Sequence, residues 1–330
     1  HGAGGKLSVR YCPDPTGRSA QFLQGAVEAG FDGPNWDYNG ERQEHGAGLL
    51  QFNITQDGKR HSAAAAYLTP IKHRPNLTIL TGAVASKILI ERGRAIGVQY
   101  LQGQQLQSVR AMQEVILCAG AFVTPKLLML SGIGSAEQLR AHDISVVADL
   151  PGVGQNLQDH LQLPVIYRSQ VSLPNPQLLT GNVLFIQKNH DSYAAPDLQL
   201  NFTPAAPAPL LPFLPNLGGP VCIFLPILVQ PQSVGEVRLR SADVQAPPMI
   251  NPNYLQAQAD IKVFKRALSV IRWIANTKAF RDSNGGELAP GGEDAEAFIR
   301  ANVSTLWHPA GTCKMGCDAM SVVNAQLQVQ

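Results

Sequence analysis

Charge is scarce in this sequence. Only 15% of its 330 residues are Asp, Glu, Lys or Arg, and 26 basic against 24 acidic side chains leave a formal net charge of +2. The two signs are spread along the chain, so neither a nucleic-acid surface nor an electrostatic membrane face is expected. Cysteine is scarce as well. Five of them (Cys12, Cys118, Cys222, Cys313, Cys317), an odd number at irregular spacing, argue against a disulfide framework. Cys313-x-x-x-Cys317 has no second pair and no histidine at a zinc-like spacing, so no metal site is expected. Long apolar runs are missing. The most apolar region, Phe202 to Val229, is interrupted by seven prolines, whereas a membrane-spanning helix needs about 20 nearly unbroken apolar residues. We read it as a proline-rich loop, Pro204–Pro220, over a pocket, followed by a buried strand at Val221–Leu228; a loop touching a membrane is the alternative. Gly152-x-Gly154 lacks the third glycine of a dinucleotide fingerprint. There is no internal repeat and no visible signal peptide. The start at His1 and the end at Gln330 lead us to expect a piece of a longer chain.

What is there is globular. A 45% hydrophobic content over this length suffices for two domains and a substantial core. The organising stretch is Glu114 to Gly134. Glu114–Cys118 is a short apolar run rich in β-branched residues and reads as a buried parallel strand. Ala119-Gly120-Ala121 turns the backbone where no large side chain blocks a ligand. Thr124-Pro125 then reads as a helix start, Leu127–Leu130 as its body, and Gly132 and Gly134 as its stop. A strand, a small-residue turn and a helix N-terminus make a platform for nucleotides and anions. An ordinary strand-turn-helix unit packed on a sheet is the plainer reading.

Around this stretch, short helical patterns occupy Gln21–Ala29 and the alanine-rich run ending at Leu68. Strands are expected at Pro75–Leu80, Ala85–Ile90 and Ala95–Tyr100, with turns at Arg92-Gly93 and Gln102-Gly103. Ser135 and Gln138 form a capping-box pattern for a helix to His142, with a strand Ile144–Ala148 after it. Beyond residue 160 come strands with long loops, at Leu161–Tyr167 and Pro196–Phe202. An amphipathic helix spans Asp260–Lys278 on the face Ile261, Phe264, Leu268, Ile271 and Ala275, and a second helix covers Asp294–Val303.

Several motifs carry a family resemblance. Gly120-Ala121-x-x-Thr124-Pro125-x-Leu127-Leu128-x-x-Ser131-Gly132-Ile133-Gly134 resembles a signature of the glucose–methanol–choline (GMC) oxidoreductases, which are FAD-dependent alcohol oxidases and dehydrogenases. The run Trp307-His308-Pro309-Ala310-Gly311-Thr312-Cys313-Lys314-Met315-Gly316 is similar to the family's His-Pro-x-Gly-Thr-x-x-Met-Gly segment. The opening His1–Val9, the segment around Arg60 and Ser62, Asn156-Leu157-x-Asp159-His160, and Gly235–Tyr254 match further stretches of it. The likeness is strongest to the choline-dehydrogenase-like members.

The resemblance implies an α/β fold: an incomplete, Rossmann-like FAD-binding domain over residues 1–160 and an antiparallel-sheet (α+β) substrate domain over 161–330. It implies that His308 is the catalytic base and that Val84 and Trp307 contact FAD. The base would accept the hydroxyl proton of a small-molecule alcohol while hydride passes to flavin N5; oxygen or a quinone-type acceptor would then reoxidise the flavin. Pro309 independently restricts the backbone of His308, and an imidazole titrates in the physiological range. For Asp159 and His160 a structural role is preferred, because neighbours on an extended chain point opposite ways. Ser62 reads better as a helix cap and Arg60 as a solvated side chain than as cofactor anchors. No Gly-x-Gly-x-x-Gly follows an N-terminal strand, so the main pyrophosphate cradle is absent and these residues alone are expected to hold FAD poorly. Two other readings stay open: an FAD-retaining lyase without redox chemistry, and a non-catalytic binding module. A cytoplasmic location is expected, with peripheral membrane association as the alternative.

Overall fold

The computed structural model describes residues 4–11, 17–42, 44–172, 181–187, 195–205 and 219–330. Most of the proline-rich stretch Pro204–Pro220, and the ends of the His1–Cys12 segment, lie outside these. The helices among the described residues are α1 (Arg18–Glu28), α2 (Gly120–Leu130), α3 (Ala136–Ala141), α4 (Gln258–Ala275) and α5 (Ala295–Asn302), beside a π turn at Ala64–Leu68 and a 3₁₀ turn at Thr69–Ile71. None is long and apolar enough to cross a membrane. The mixed α/β chain divides into two compact units, each threaded from three stretches. One comprises residues 1–77, 160–232 and 257–306; the other comprises 78–159, 233–256 and 307–330. Each therefore gathers residues from both sides of position 160.

The first unit is built on an eight-stranded sheet. Its main path runs Asn284–Ala289, Val165–Ser169, Val221–Leu228, Pro196–Thr203, Asn182–Gln187 and Gly46–Leu49. Neighbours along this path are antiparallel. Val221–Leu228 has strands on both sides and every residue buried, as its unbroken apolar run leads one to expect. On this sheet α4 buries Ile261, Phe264, Leu268, Ile271 and Ala275, spaced three and four apart, which is the face read from the sequence. An aromatic cluster fills the centre: the ring of Phe202 lies 5.7 Å from that of Phe22 and 4.9 Å from that of Phe224, and Phe280 is 5.6 Å from Phe224. Glu287 ties α4 to the sheet edge, accepting Arg272 Nε–H at 2.8 Å, a second guanidinium N–H at 2.9 Å and the Tyr167 hydroxyl at 3.1 Å. Burial works to raise the Glu287 pKa, but the Arg272 and Tyr167 hydrogen bonds outweigh it and hold the carboxyl below its ordinary range. Asp294 caps α5 by accepting the Ala297 N–H at 2.8 Å.

In the second unit, an antiparallel meander Ala83–Glu91, Arg94–Gln102, Gln105–Arg110 turns through Arg92-Gly93 and Gly103 in left-handed conformations. The second half of α2 drives the packing. Leu127, Leu128, Met129 and Leu130 bury against Ile88, Ile133, Leu139, Val153, Leu239 and Val322. Lys126 is buried with them, its Nζ donating to the Val244 and Ala246 carbonyls at 2.6 and 2.7 Å; burial lowers its pKa. Ser131 closes the helix, accepting the Ile88 N–H at 2.8 Å and donating to the Leu127 carbonyl at 2.6 Å. Gly132 follows at φ +87°, where a Cβ would collide with the Ser145 carbonyl.

Several local expectations are corrected here. Glu114–Cys118 is not a strand: among the described residues no ladder pairs with it, and Ile116 is 74% exposed while Val115 and Leu117 are half-buried. An apolar run becomes a buried strand only where neighbours supply hydrogen bonds on its flanks. Pro75–Leu80 is likewise irregular, and the strand after α3 is reduced to Ala148–Asp149. Helix α2 begins at Gly120, so Pro125 lies inside it and not at its start. Ser135 makes no side-chain cap. Instead Asp149 Oδ1 accepts the Ala136 N–H at 2.9 Å, and Gln138 Oε1 accepts the Leu239 N–H at 3.0 Å. Tertiary partners thus replace the local box.

Candidate active site

His308 sits on an irregular loop that begins at Trp307 and is held by a second irregular stretch, residues 154–159. The two run as a short ladder. Gly154 N–H donates to the Thr312 carbonyl at 2.9 Å, Gln158 and Ala310 exchange both N–H···O bonds at 2.9 Å, and Asn156 Nδ2 reaches the Gly311 carbonyl at 3.3 Å. Gly311 has to be glycine: its φ is +94°, and a Cβ would collide with the Asn156 carbonyl.

Asp159 ends the ladder. Its buried carboxylate accepts the backbone N–H of His308 on Oδ1 at 2.9 Å and the hydroxyl of Tyr254 on Oδ2 at 2.6 Å. The latter length is that of a charge-assisted bond. The residue before His308 is strained: Trp307 is in the left-handed region at φ +59°, uncommon for a bulky side chain, and 75% exposed. The His308 side chain is exposed too. An imidazole so presented, on a backbone fixed behind it, can meet a ligand and exchange a proton with it.

The loop is also tied to α2. A proline within a helix has no N–H for the carbonyl four residues before it, so Pro125 leaves the Ala121 carbonyl without its helical donor. The buried hydroxyl of Thr312 supplies one, at 2.6 Å. The two signature stretches, 120–134 and 307–316, meet at this bond. Helix α2 is unevenly covered. Pro125 to Leu130 are buried, whereas Ala119, Gly120 and Val123 are exposed and no side chain caps the first turn. Gly120 lies at φ +79° with open space where a Cβ would point. Uncapped N–H groups at the positive end of a helix attract anionic ligand groups.

Of the three site residues expected from the sequence, Trp307 and His308 are adjacent on this loop. Val84 is on a different element of the same unit, the strand Ala83–Glu91, and is 51% exposed. Ser62 acts as a cap, its Oγ accepting the Ala65 N–H at 3.2 Å, and Arg60 is exposed. His160 belongs to the other unit, where its carbonyl accepts the Leu306 N–H at 2.9 Å. Sequence reasoning did not single out Tyr254 or Thr312. Both fall inside stretches that carried the family resemblance, which was the one signal available for them.

Comparison with known proteins finds matches along most of the chain. Family models described as GMC oxidoreductase match residues 2–162 and 231–330. An oxygen-dependent choline dehydrogenase of Cronobacter sakazakii is 35% identical over 362 residues, covering 100% of this chain and 64% of the relative. That of Brucella anthropi is 37% identical over 339 residues, covering 93% and 60%. Among solved structures, pyridoxine 4-oxidase from Mesorbium loti superposes with a TM-score of 0.90 at 30% identity, covering 100% of this chain and 65% of that one. The chain thus spans less than two thirds of the length of each of these three relatives. With both family models matching, and together covering most of its length, the chain belongs to the GMC oxidoreductase family.

Proposed function

We propose that this chain carries the proton-transfer loop of an FAD-dependent oxidoreductase that converts a small alcohol to an aldehyde or ketone, with His308 as the base. The observation that carries the reading is the mounting of His308. Its side chain is exposed, while its backbone N–H is fixed to a buried carboxylate and the residues after it are laddered to 154–158. The names of the relatives support an alcohol substrate, since choline and pyridoxine are both small alcohols.

The residues that would hold FAD are the open first turn of α2, Val84 and Trp307. They suit it chemically: uncapped helix N–H groups for an anionic or carbonyl edge, and exposed apolar and aromatic surface for a ring. Bound FAD supplies the hydride acceptor. His308 takes the substrate's hydroxyl proton on an imidazole nitrogen, which raises electron density on the carbinol oxygen as the carbon–hydrogen bond weakens. Oxygen or a quinone-type compound would serve as the electron acceptor for bound FAD.

The test is anaerobic flavin reduction in the full-length, FAD-loaded protein. His308→Ala should slow reduction by the alcohol ~10²–10⁴-fold, the range for a lost general base, while bound FAD is retained. Reduction at the wild-type rate would remove His308 from the chemistry.

A further inference from the structure

Beyond the base itself, the structure assigns a positioning pair. We propose that Asp159 and Tyr254 fix the direction in which the His308 imidazole points. This rests on the reading of His308 as the proton acceptor.

Asp159 reaches His308 through the backbone of the loop itself: the His308 N–H donates to Asp159 Oδ1 at 2.9 Å. The conformation it secures is not one the chain would choose. Trp307 is left-handed at φ +59°, uncommon for a bulky residue, and is 75% exposed. Pro309 restricts the residue from the other side. A peptide caught between a left-handed tryptophan and a proline has few arrangements open to it, and the carboxylate selects one. The carboxylate is in turn oriented by Tyr254, whose hydroxyl donates to the opposite oxygen at 2.6 Å. Because the ladder at residues 154–158 anchors the loop beyond Ala310, losing the Asp159 bond should loosen residues 307–308 and leave the rest of the loop in place. An imidazole tilted by about 1 Å from its working position loses on the order of 10²-fold in rate without losing its chemistry.

The experiment compares Asp159→Ala, Asp159→Asn and Tyr254→Phe in the full-length, FAD-loaded protein, with His308→Ala as reference. Asparagine keeps an acceptor for the His308 N–H and turns an amide donor toward the Tyr254 oxygen. Two quantities are read: the limiting rate of flavin reduction at saturating alcohol, and hydrogen exchange of the His308 amide. We expect Asp159→Ala to cut the limiting rate ~10²-fold with little change in the alcohol concentration needed for half-saturation, and to expose the His308 amide to exchange. Asp159→Asn should recover most of both losses, and Tyr254→Phe should show a smaller loss of the same kind. Three results would overturn the proposal: fast exchange at His308 with an unchanged limiting rate, unchanged exchange in Asp159→Ala, or an Asp159→Asn variant as slow as the alanine. If His308→Ala itself reduces flavin normally, the reading of His308 fails instead, and the exchange data still report whether the pair holds the backbone.

Discussion

Two apolar stretches of similar composition, Val221–Leu228 and Glu114–Cys118, end in opposite situations. The first is flanked by strands on both sides and wholly buried; the second has no ladder partner among the described residues and leaves Ile116 74% exposed. The unit that contains the first stretch seals Phe22, Phe202, Phe224 and Phe280 between sheet and helices, while exposing Tyr67, Leu68 and Trp273 elsewhere. The other carries the exposed surface of Val84, Leu106, Val109, Met112, Ile116 and Val123. It also carries His308. Apolar sequence thus sets what can be buried, while the available neighbours set what is.

The contrast can be broken most directly by truncation. Phe224→Ala removes a ring with no exposed surface and should cost about 3–5 kcal/mol, against less than ~0.5 kcal/mol for Ile116→Ala, both read as chemical-denaturation midpoints. Similar losses at the two positions would mean that Ile116 is covered in solution. A smaller effect sharpens the account of the second unit. Thr312→Val leaves the half-buried Ala121 carbonyl without a donor and should cost about 1 kcal/mol. In a Pro125→Ala background, where the helix regains that N–H, the same change should cost markedly less; equal costs in both backgrounds would sever the link. The smallest effect tests how the first unit is tied together. The Glu287 carboxyl is held below its ordinary range, so it contributes stability above its unfolded-state pKa and loses that contribution as pH falls through the folded value. Glu287→Gln should therefore be less stable than the parent at neutral pH, and the gap should narrow as pH falls through and below the ordinary carboxylate range. A constant gap would assign the effect to packing instead of charge.

These examples also show what the sequence made legible. The buried strand Val221–Leu228 and the apolar face of α4 were readable because periodicity and hydropathy are local and their neighbours exist. Glu114–Cys118 was misread because hydropathy says nothing about partners. The Ser135 box failed for a related reason, since Asp149 and Leu239 supply better-placed groups than the local pattern. Thr124-Pro125 has the form of a helix start, yet α2 starts a turn earlier because Thr312 satisfies the carbonyl that proline releases. At the candidate site, His308 was found through its motif. A structural role was read for Asp159 but not its partners, because His308 lies 149 residues from it and Tyr254 lies 95 residues from it. No spacing rule reaches that far.

The bond from Thr312 to Ala121 has a consequence for anyone who recombines such proteins. The proline and the threonine are 187 positions apart (312 − 125) and look like independent features of separate segments. In space they are lock and key: the helix offers a vacancy in its own bonding pattern and the loop fills it. A chimera that takes residues 307–316 from one parent and 120–134 from another will assemble cleanly only if both parents share this pairing. A threonine brought to a helix without the proline meets a carbonyl already occupied, and a proline-bearing helix without the threonine is left with a gap. The sound unit of exchange is the pair.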